Sequence, residues 1–277
     1  MLPTAPNKDI ASMQRLSSAI VLLALASSHA ALAADFTARD LTAALFRAGP
    51  GQRADLSGRD LAGLDLSGID FKGALIAKAD LIGADLSEAN LKDTDLSGAR
   101  LDRTTLIRTD FSGANLEQAT ILRPSIYLSY GKDIVDWTLA PKFTGARMAG
   151  AKVFGRLDYA DFKGADLKGA LFIGQDSRDE NLSLSTVSLF SGDFDGADLE
   201  GASFAEANLS FASFRGANVK GVRFVRADLS RADFSGADLT GADFTGANLD
   251  EANMTGVKGL DRVNGLDRAA NADRIVK

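Results

Sequence analysis

The chain predicts an all-β solenoid: short extended pieces and corners wound into a four-sided coil of about twenty residues per turn. Three observations predict it. Between Gly192 and Gly256 a large apolar residue recurs every five residues, beginning Phe194, Leu199, Phe204, Leu209 and ending at Met254. The residue two places before each centre is usually Ala, the one before it mostly Asp or Asn, and the one two places after it often Gly. The centres alternate between Phe and Leu or Val, so Phe returns every ten residues from Phe194 to Phe244.

A period of five suits neither regular element. On an α-helix, steps of five turn the apolar side chain by about 140°, so the centres circle the axis and make no stripe. On one continuous strand, residues i and i+5 point to opposite faces. The chain must therefore bend at every unit. The corner residues suit that: Gly tolerates unusual backbone angles, and Asp or Asn can hydrogen-bond nearby backbone. A three-sided coil would mix Phe and Leu, whereas an even-sided one sorts them. With four sides, Phe194, Phe214 and Phe234 form one column topped by Met254, and Phe204, Phe224 and Phe244 form the opposite one. It follows that Phe214 touches Phe194 and Phe234 and does not touch Phe204.

The units Ala237-Asp238-Leu239-Thr240-Gly241 and Ala247-Asn248-Leu249-Asp250-Glu251 follow the pattern A(D/N)LXX. In this the chain resembles the pentapeptide repeat family, over most of the length that follows its N-terminal segment. The resemblance implies a right-handed, four-sided parallel β-helix, with the centre and the small residue before it pointing inward and the other three positions outward.

In chain order, residues 1–33 read as a secretory signal. Lys8 and Arg15 supply the basic start, Leu16 to Ala26 the apolar core, and Ala31-Leu32-Ala33 a small-x-small cleavage site. The apolar run is too short for a comfortable membrane span. No Cys follows it, so a lipoprotein anchor is excluded, and Met13 offers a second start. Localisation is then periplasmic or secreted, with no stable membrane anchor after cleavage near Ala33. A buried N-terminal helix is the competing reading. Residues 35–51 carry a short capping helix with Asp40 as its N-cap and Leu41, Leu45 and Phe46 along it, closed by Gly49 and Pro50. Residues 54–123 form the first repeat block, with unbroken centres from Leu56 to Ile121.

Residues 124–142 interrupt the pattern between Pro124 and Pro141, as an irregular coil or a projecting loop. They hold Tyr127, Tyr130 and the single Trp, Trp137, which are the candidate partner-binding residues. The alternative is that Trp137 and Ile134 pack over the side of the coil. Residues 143–172 form a short block whose phase is shifted by a four-residue unit, Arg156 to Tyr159. Residues 173–181 make an acidic loop; its carboxylates match no EF-hand spacing. Residues 182–256 form the second block. Residues 257–277 close the coil with a C-terminal cap in which Gly-Leu-Asp-Arg occurs twice, at Gly259 and Gly265. A homodimer through this C-terminal end is the competing reading, because some members of the family pair end to end.

Chemistry is narrowed by composition. The 277 residues contain no Cys, and the single His, His29, leaves with the signal. Thiol and Ser-His-Asp catalysis and most zinc sites go with them. No phosphate-binding loop is present, and the Gly residues fall at the repeat's corners. We therefore expect no enzyme, no catalytic residues, no cofactor and no metal. The net charge is −6. In 54–123, 12 acids meet 8 bases, and in 192–256, 11 meet 5, interleaved along the faces. That disfavours direct nucleic-acid binding. The expectation is an exported, non-catalytic scaffold whose partner is another protein. The alternative, implied by the resemblance, is an acidic DNA mimic that binds DNA gyrase or another DNA-binding protein.

Overall fold

The computed structural model describes residues 36–49, 51–126, 136–172 and 187–277. Residues 1–35, Tyr127, Tyr130, Ile134 and the acidic stretch from residue 173 lie outside the described residues. The chain divides into two units, Met1–Asp35 and Phe36–Lys277.

The backbone of the second unit is a ladder of parallel bridges between residues twenty apart. Asp55 pairs with Leu75, Asp60 with Asp80, Asp65 with Asp85 and Asp70 with Asn90, so each coil of twenty residues offers four bridge positions. Each rung carries two hydrogen bonds: Leu75 N–H donates to Ala54 O at 2.8 Å, and Leu56 N–H donates to Leu75 O at 2.6 Å. Between bridges the chain turns sharply. Ala197 N–H donates to Phe194 O at 3.0 Å, and Gly196, the third residue of that turn, has φ 65°. A type II turn needs this left-handed angle, and Gly adopts it without a Cβ clash. Three short strands are continuous enough to be named: β1 (Thr120–Leu122), β2 (Lys152–Phe154) and β3 (Leu171–Phe172), paired in parallel in the order β1-β2-β3.

The residue before each centre stabilises its own corner. Asp55 Oδ1 accepts the N–H of Ser57 at 3.0 Å, and the same Asx turn recurs at Asp65, Asp110, Asp161, Asp233 and Asp243. Where a carboxylate would stack on a carboxylate one coil away, Asn often stands instead. Asn90 donates to Asp70 at 3.1 Å, Asn115 to Asp95 at 3.0 Å, and Asn253 to Asp233 at 2.9 Å. The amide turns a like-charge repulsion into a hydrogen bond.

The centres and their preceding small residues fill the bore, essentially without exposure, from Leu56 to Met254. One Phe column runs Phe111, Phe143, Phe162, Phe194, Phe214, Phe234, stacked at 4.8 to 5.0 Å between ring centroids. The second runs Phe172, Phe204, Phe224, Phe244 at 4.4 to 5.7 Å. Phe214 thus stacks on Phe194 and Phe234 as expected. It also meets Phe204, edge to face, with centroids 6.4 Å apart and planes at 80°. The expectation that these two do not touch is corrected. The bore is narrow enough that rings from opposite walls interlock, an arrangement aromatic quadrupoles favour.

The interruptions keep this register. Asp110 pairs with Lys142 and Asp161 with Asp193, each thirty-two residues apart, so each interruption adds twelve residues to one coil. Between them Lys142 pairs with Asp161, nineteen apart, because the four-residue unit Arg156 to Tyr159 shortens that coil by one. Ser125 still pairs with Thr105, and Ile126 is buried as a further centre behind Pro124.

At the N-terminal side α1 spans Ala38–Arg47, with Leu41 and Leu45 buried in the same apolar cluster as the coil. Its N-cap is Thr37, not Asp40. Thr37 Oγ1 accepts Asp40 N–H at 3.2 Å, and the Asp40 carboxylate accepts Thr37 N–H at 3.0 Å, a reciprocal capping box. Phe46 points away from the cluster and is 83% exposed. At the other end three 3-10 turns, Leu260–Arg262, Leu266–Arg268 and Ala272–Arg274, lay Leu260, Val263, Leu266 and Ile275 against the core.

Candidate functional site

Trp137 stands on a short 3-10 turn, Trp137–Leu139, that re-enters the coil at the first interruption. Asp136 caps the turn, accepting Thr138 N–H at 2.9 Å and Thr138 Oγ1–H at 2.6 Å. The Thr138 hydroxyl, followed by its N–H, lowers the Asp136 pKa from its ordinary value, with Arg108 adding to this. Arg108 N–H donates to Leu139 O at 2.8 Å, which ties the turn into the ladder. Leu139 is buried, and Ile107, at an outward position, is buried as well. Trp137 is 68% exposed. The turn is thus anchored through its backbone and Leu139 while the indole faces solvent. Tyr127 and Tyr130 lie outside the described residues.

Sequence reasoning missed a second group of outward aromatics. Tyr159, Phe190 and Phe211 occupy one corner of the coil on three successive turns. Tyr159 and Phe190 meet edge to face at 5.6 Å, and Phe190 and Phe211 are tilted together at 5.4 Å. The Arg231 guanidinium lies over the Phe211 ring at 5.4 Å. Phe211 is 46% exposed. Tyr159 and Phe211 hold φ of 62°, an angle that costs a bulky side chain energy; the other non-glycine residues with positive φ are all polar or charged. The signal was a large aromatic where the repeat otherwise puts Gly or a polar residue. It went unseen because the insertion and the short unit space these residues unevenly.

Beneath this corner lies Asp158, 3% exposed. It accepts from Arg156 Nη2 at 2.8 Å, from Phe190 N–H at 3.1 Å and from Ser188 Oγ, so it fastens the short unit to the coil that follows the second interruption. Elsewhere the charges are matched along the coil axis: Arg215 with Asp195 at 2.6 Å, Lys163 with Asp193 at 2.8 Å, Lys220 with Asp238 at 3.2 Å. An open cleft of about 490 Å³ brings Lys72 and Lys92 together beside Arg53. Two of its cations are engaged: Arg53 donates to the carbonyls of Gly73 and Asp93, and Lys92 pairs with Asp110 at 3.2 Å. Among the described residues no group of three or more His, Asp or Glu could hold a metal ion.

The chain is similar to solved structures of pentapeptide repeat proteins. The cyanobacterial protein HetL, a pentapeptide repeat protein of Nostoc sp. involved in heterocyst differentiation regulation, is 26% identical. The match covers 80% of this chain and 87% of HetL, with a TM-score of 0.54. A pentapeptide repeat protein from the thylakoid lumen of Arabidopsis thaliana is 29% identical over 38% of this chain and 65% of its own, with a TM-score of 0.25. Full-length QnrB1, a plasmid-mediated fluoroquinolone resistance protein, is 19% identical over 72% of this chain and 92% of its own, with a TM-score of 0.34. No curated protein matches the chain. The family model for pentapeptide repeats matches with 8 copies, at residues 52–93, 84–121, 183–221, 193–231 and 223–258. With that match over the two blocks whose centres fill the bore, the chain belongs to the pentapeptide repeat family.

Proposed function

We propose that the chain is an exported, non-catalytic scaffold that binds another protein in the periplasm. The observation that carries this reading is Trp137, held on a backbone-anchored turn with its indole in solvent. A large rigid ring of this kind gives a partner much contact area at little entropic cost. Export rests on the sequence alone, on the basic start, apolar core and small-x-small site of residues 1–33. In this reading the coil is right-handed, α1 covers its first turn, and the turns after Gly259 cover its last. The Leu41, Leu45, Leu260 and Leu266 side chains packed on the core support those roles. Tyr127 and Tyr130 belong to the same contact.

Cell fractionation tests export: the chain is expected in the periplasmic fraction, shortened near Ala33. Affinity capture tests the contact. Trp137→Ala is expected to weaken retention of the partner by about tenfold or more while leaving the fold intact, since Trp137 buries little in the free chain. Unchanged retention with Trp137, Tyr127 and Tyr130 all replaced by Ala would sink the assignment of this face. The DNA-mimic reading has less support, because several of the acidic groups, among them Asp193, Asp195 and Asp238, are paired with Lys or Arg on neighbouring coils. A gyrase supercoiling assay with purified protein is expected to show no effect.

A further inference from the structure

The aromatic corner continues in both directions as a ridge of charged side chains, one rung per coil. Below the aromatics, Glu88 and Arg108 pair at 3.3 Å. Above them, Arg231 pairs with Glu251 at 2.8 Å, and Glu251 with Arg274 at 3.1 Å. The backbone fixes the order of rungs. Glu88 N–H bonds to Ile107 O, Arg108 N–H to Leu139 O, and Tyr159 N–H to Phe190 O. Ser191 N–H bonds to Ser210 O, Phe211 N–H to Ser230 O, and Arg231 N–H to Asp250 O. Each side chain on a rung where φ is positive is thrown outward from the same corner.

Along the rod the ridge therefore reads acid, base, apolar, aromatic, aromatic, aromatic, base, acid, base. The central rung is Phe190. Reversing the ridge about that rung sets Arg108 against Glu251 and Glu88 against Arg274, and it sets Arg231 against the apolar rung of Leu139. Tyr159 meets Phe211, and Phe190 meets itself. The aromatic centre and the two outer charged rungs match their own reverse only when antiparallel, which is the requirement of an isologous two-fold contact. The rings at Tyr159 and Phe211 stand where other corners carry Gly or a polar residue. The coil's turn imposes φ 62° there, as at the polar residues of other corners, and sets each ring outward.

We propose that this corner is the seam of a side-by-side antiparallel dimer, the occupant being a second copy of the same chain. The aromatics form the dry centre and the ion pairs at either end fix the register. The Trp137 turn enters this corner at the rung after Arg108, so self-association is read with the purified chain alone, with Trp137 unchanged and no other partner present.

Sedimentation equilibrium across a concentration series tests it. The chain is expected to approach twice its monomer mass. Phe211→Ser is expected to raise the dissociation constant about tenfold or more, as loss of a central interface aromatic does. The variant should still fold, read as an unchanged circular dichroism spectrum. Arg108→Glu is expected to weaken pairing, and Arg108→Glu combined with Glu251→Arg to restore it. Because the chain has no Cys, Ser191→Cys on the central rung is expected to give a disulfide-linked dimer on mild oxidation, and Glu88→Cys none. A chain that stays monomeric throughout the series overturns the proposal. So does a dimer that ignores Phe211→Ser and leaves Ser191→Cys unlinked, the result that end-to-end pairing would give.

Discussion

At the scale of single residues, Asp238 shows how one side chain serves the corner and the face together. Its carboxylate accepts Thr240 Oγ1–H at 2.7 Å and Thr240 N–H at 3.1 Å, and Lys220 lies 3.2 Å away. The Thr240 hydroxyl is the largest cause lowering its pKa to about 2; Lys220 adds to it. Asp65 and Asp243 are lowered in the same way by Ser67 and Thr245. A carboxyl whose folded pKa lies below its unfolded value of about 3.9 contributes stability that is complete above that value and disappears as pH falls through the folded one. Thermal unfolding followed by circular dichroism is therefore expected to be flat from neutral pH down to about 5 and to weaken between about pH 4 and 2. Inside the bore, Phe214 contacts Phe194, Phe234, Phe204 and Phe224. Phe214→Ala is expected to cost about 3–5 kcal/mol in urea unfolding, because neighbours fixed by their own coils cannot collapse into the space. Gly265 has φ 70°, and a Cβ there would lie 2.6 Å from Thr245 N. Gly265→Ala is expected to destabilise the last turns by at least about 1–2 kcal/mol, read as earlier proteolysis of the C-terminal end.

At the scale of elements, the two interruptions behave as insertions into coils. Leu139 takes the ladder place that Tyr127 would have held, since Arg108 N–H bonds to Leu139 O. Deleting residues 127–138 removes the twelve extra residues and joins Ile126 to Leu139 in register. The shortened chain is expected to fold with an unfolding midpoint close to that of the parent and to lose capture of the partner that Trp137 contacts. For α1, the Thr37 and Asp40 capping box satisfies backbone donors at the helix start. Thr37→Ala is expected to cost about 1 kcal/mol, visible as faster hydrogen exchange across Ala38–Arg47 with the coils unaffected.

At the scale of the whole molecule, the sequence determined the coil. A centre every five residues can be buried only if the chain turns at every unit, and alternating Phe and Leu can be sorted only by an even number of sides. Those are properties of spacing, which the sequence carries in full. The Asp and Asn before each centre were legible as backbone partners for the same reason: the N–H groups they accept from lie two residues away. What only the tertiary structure decided involves residues far apart in sequence. The Phe column passes unbroken from Phe111 to Phe143 and from Phe162 to Phe194 because each insertion leaves and re-enters one coil. Rings of the two columns interlock because the bore is narrower than separate walls would need. Tyr159, Phe190 and Phe211 become one ridge because a short unit and an insertion are absorbed at corners, where backbone hydrogen bonds between coils reset the register. A repeat's own spacing fixes what stacks on what only while it is unbroken; past each break, the hydrogen-bonded ladder fixes it.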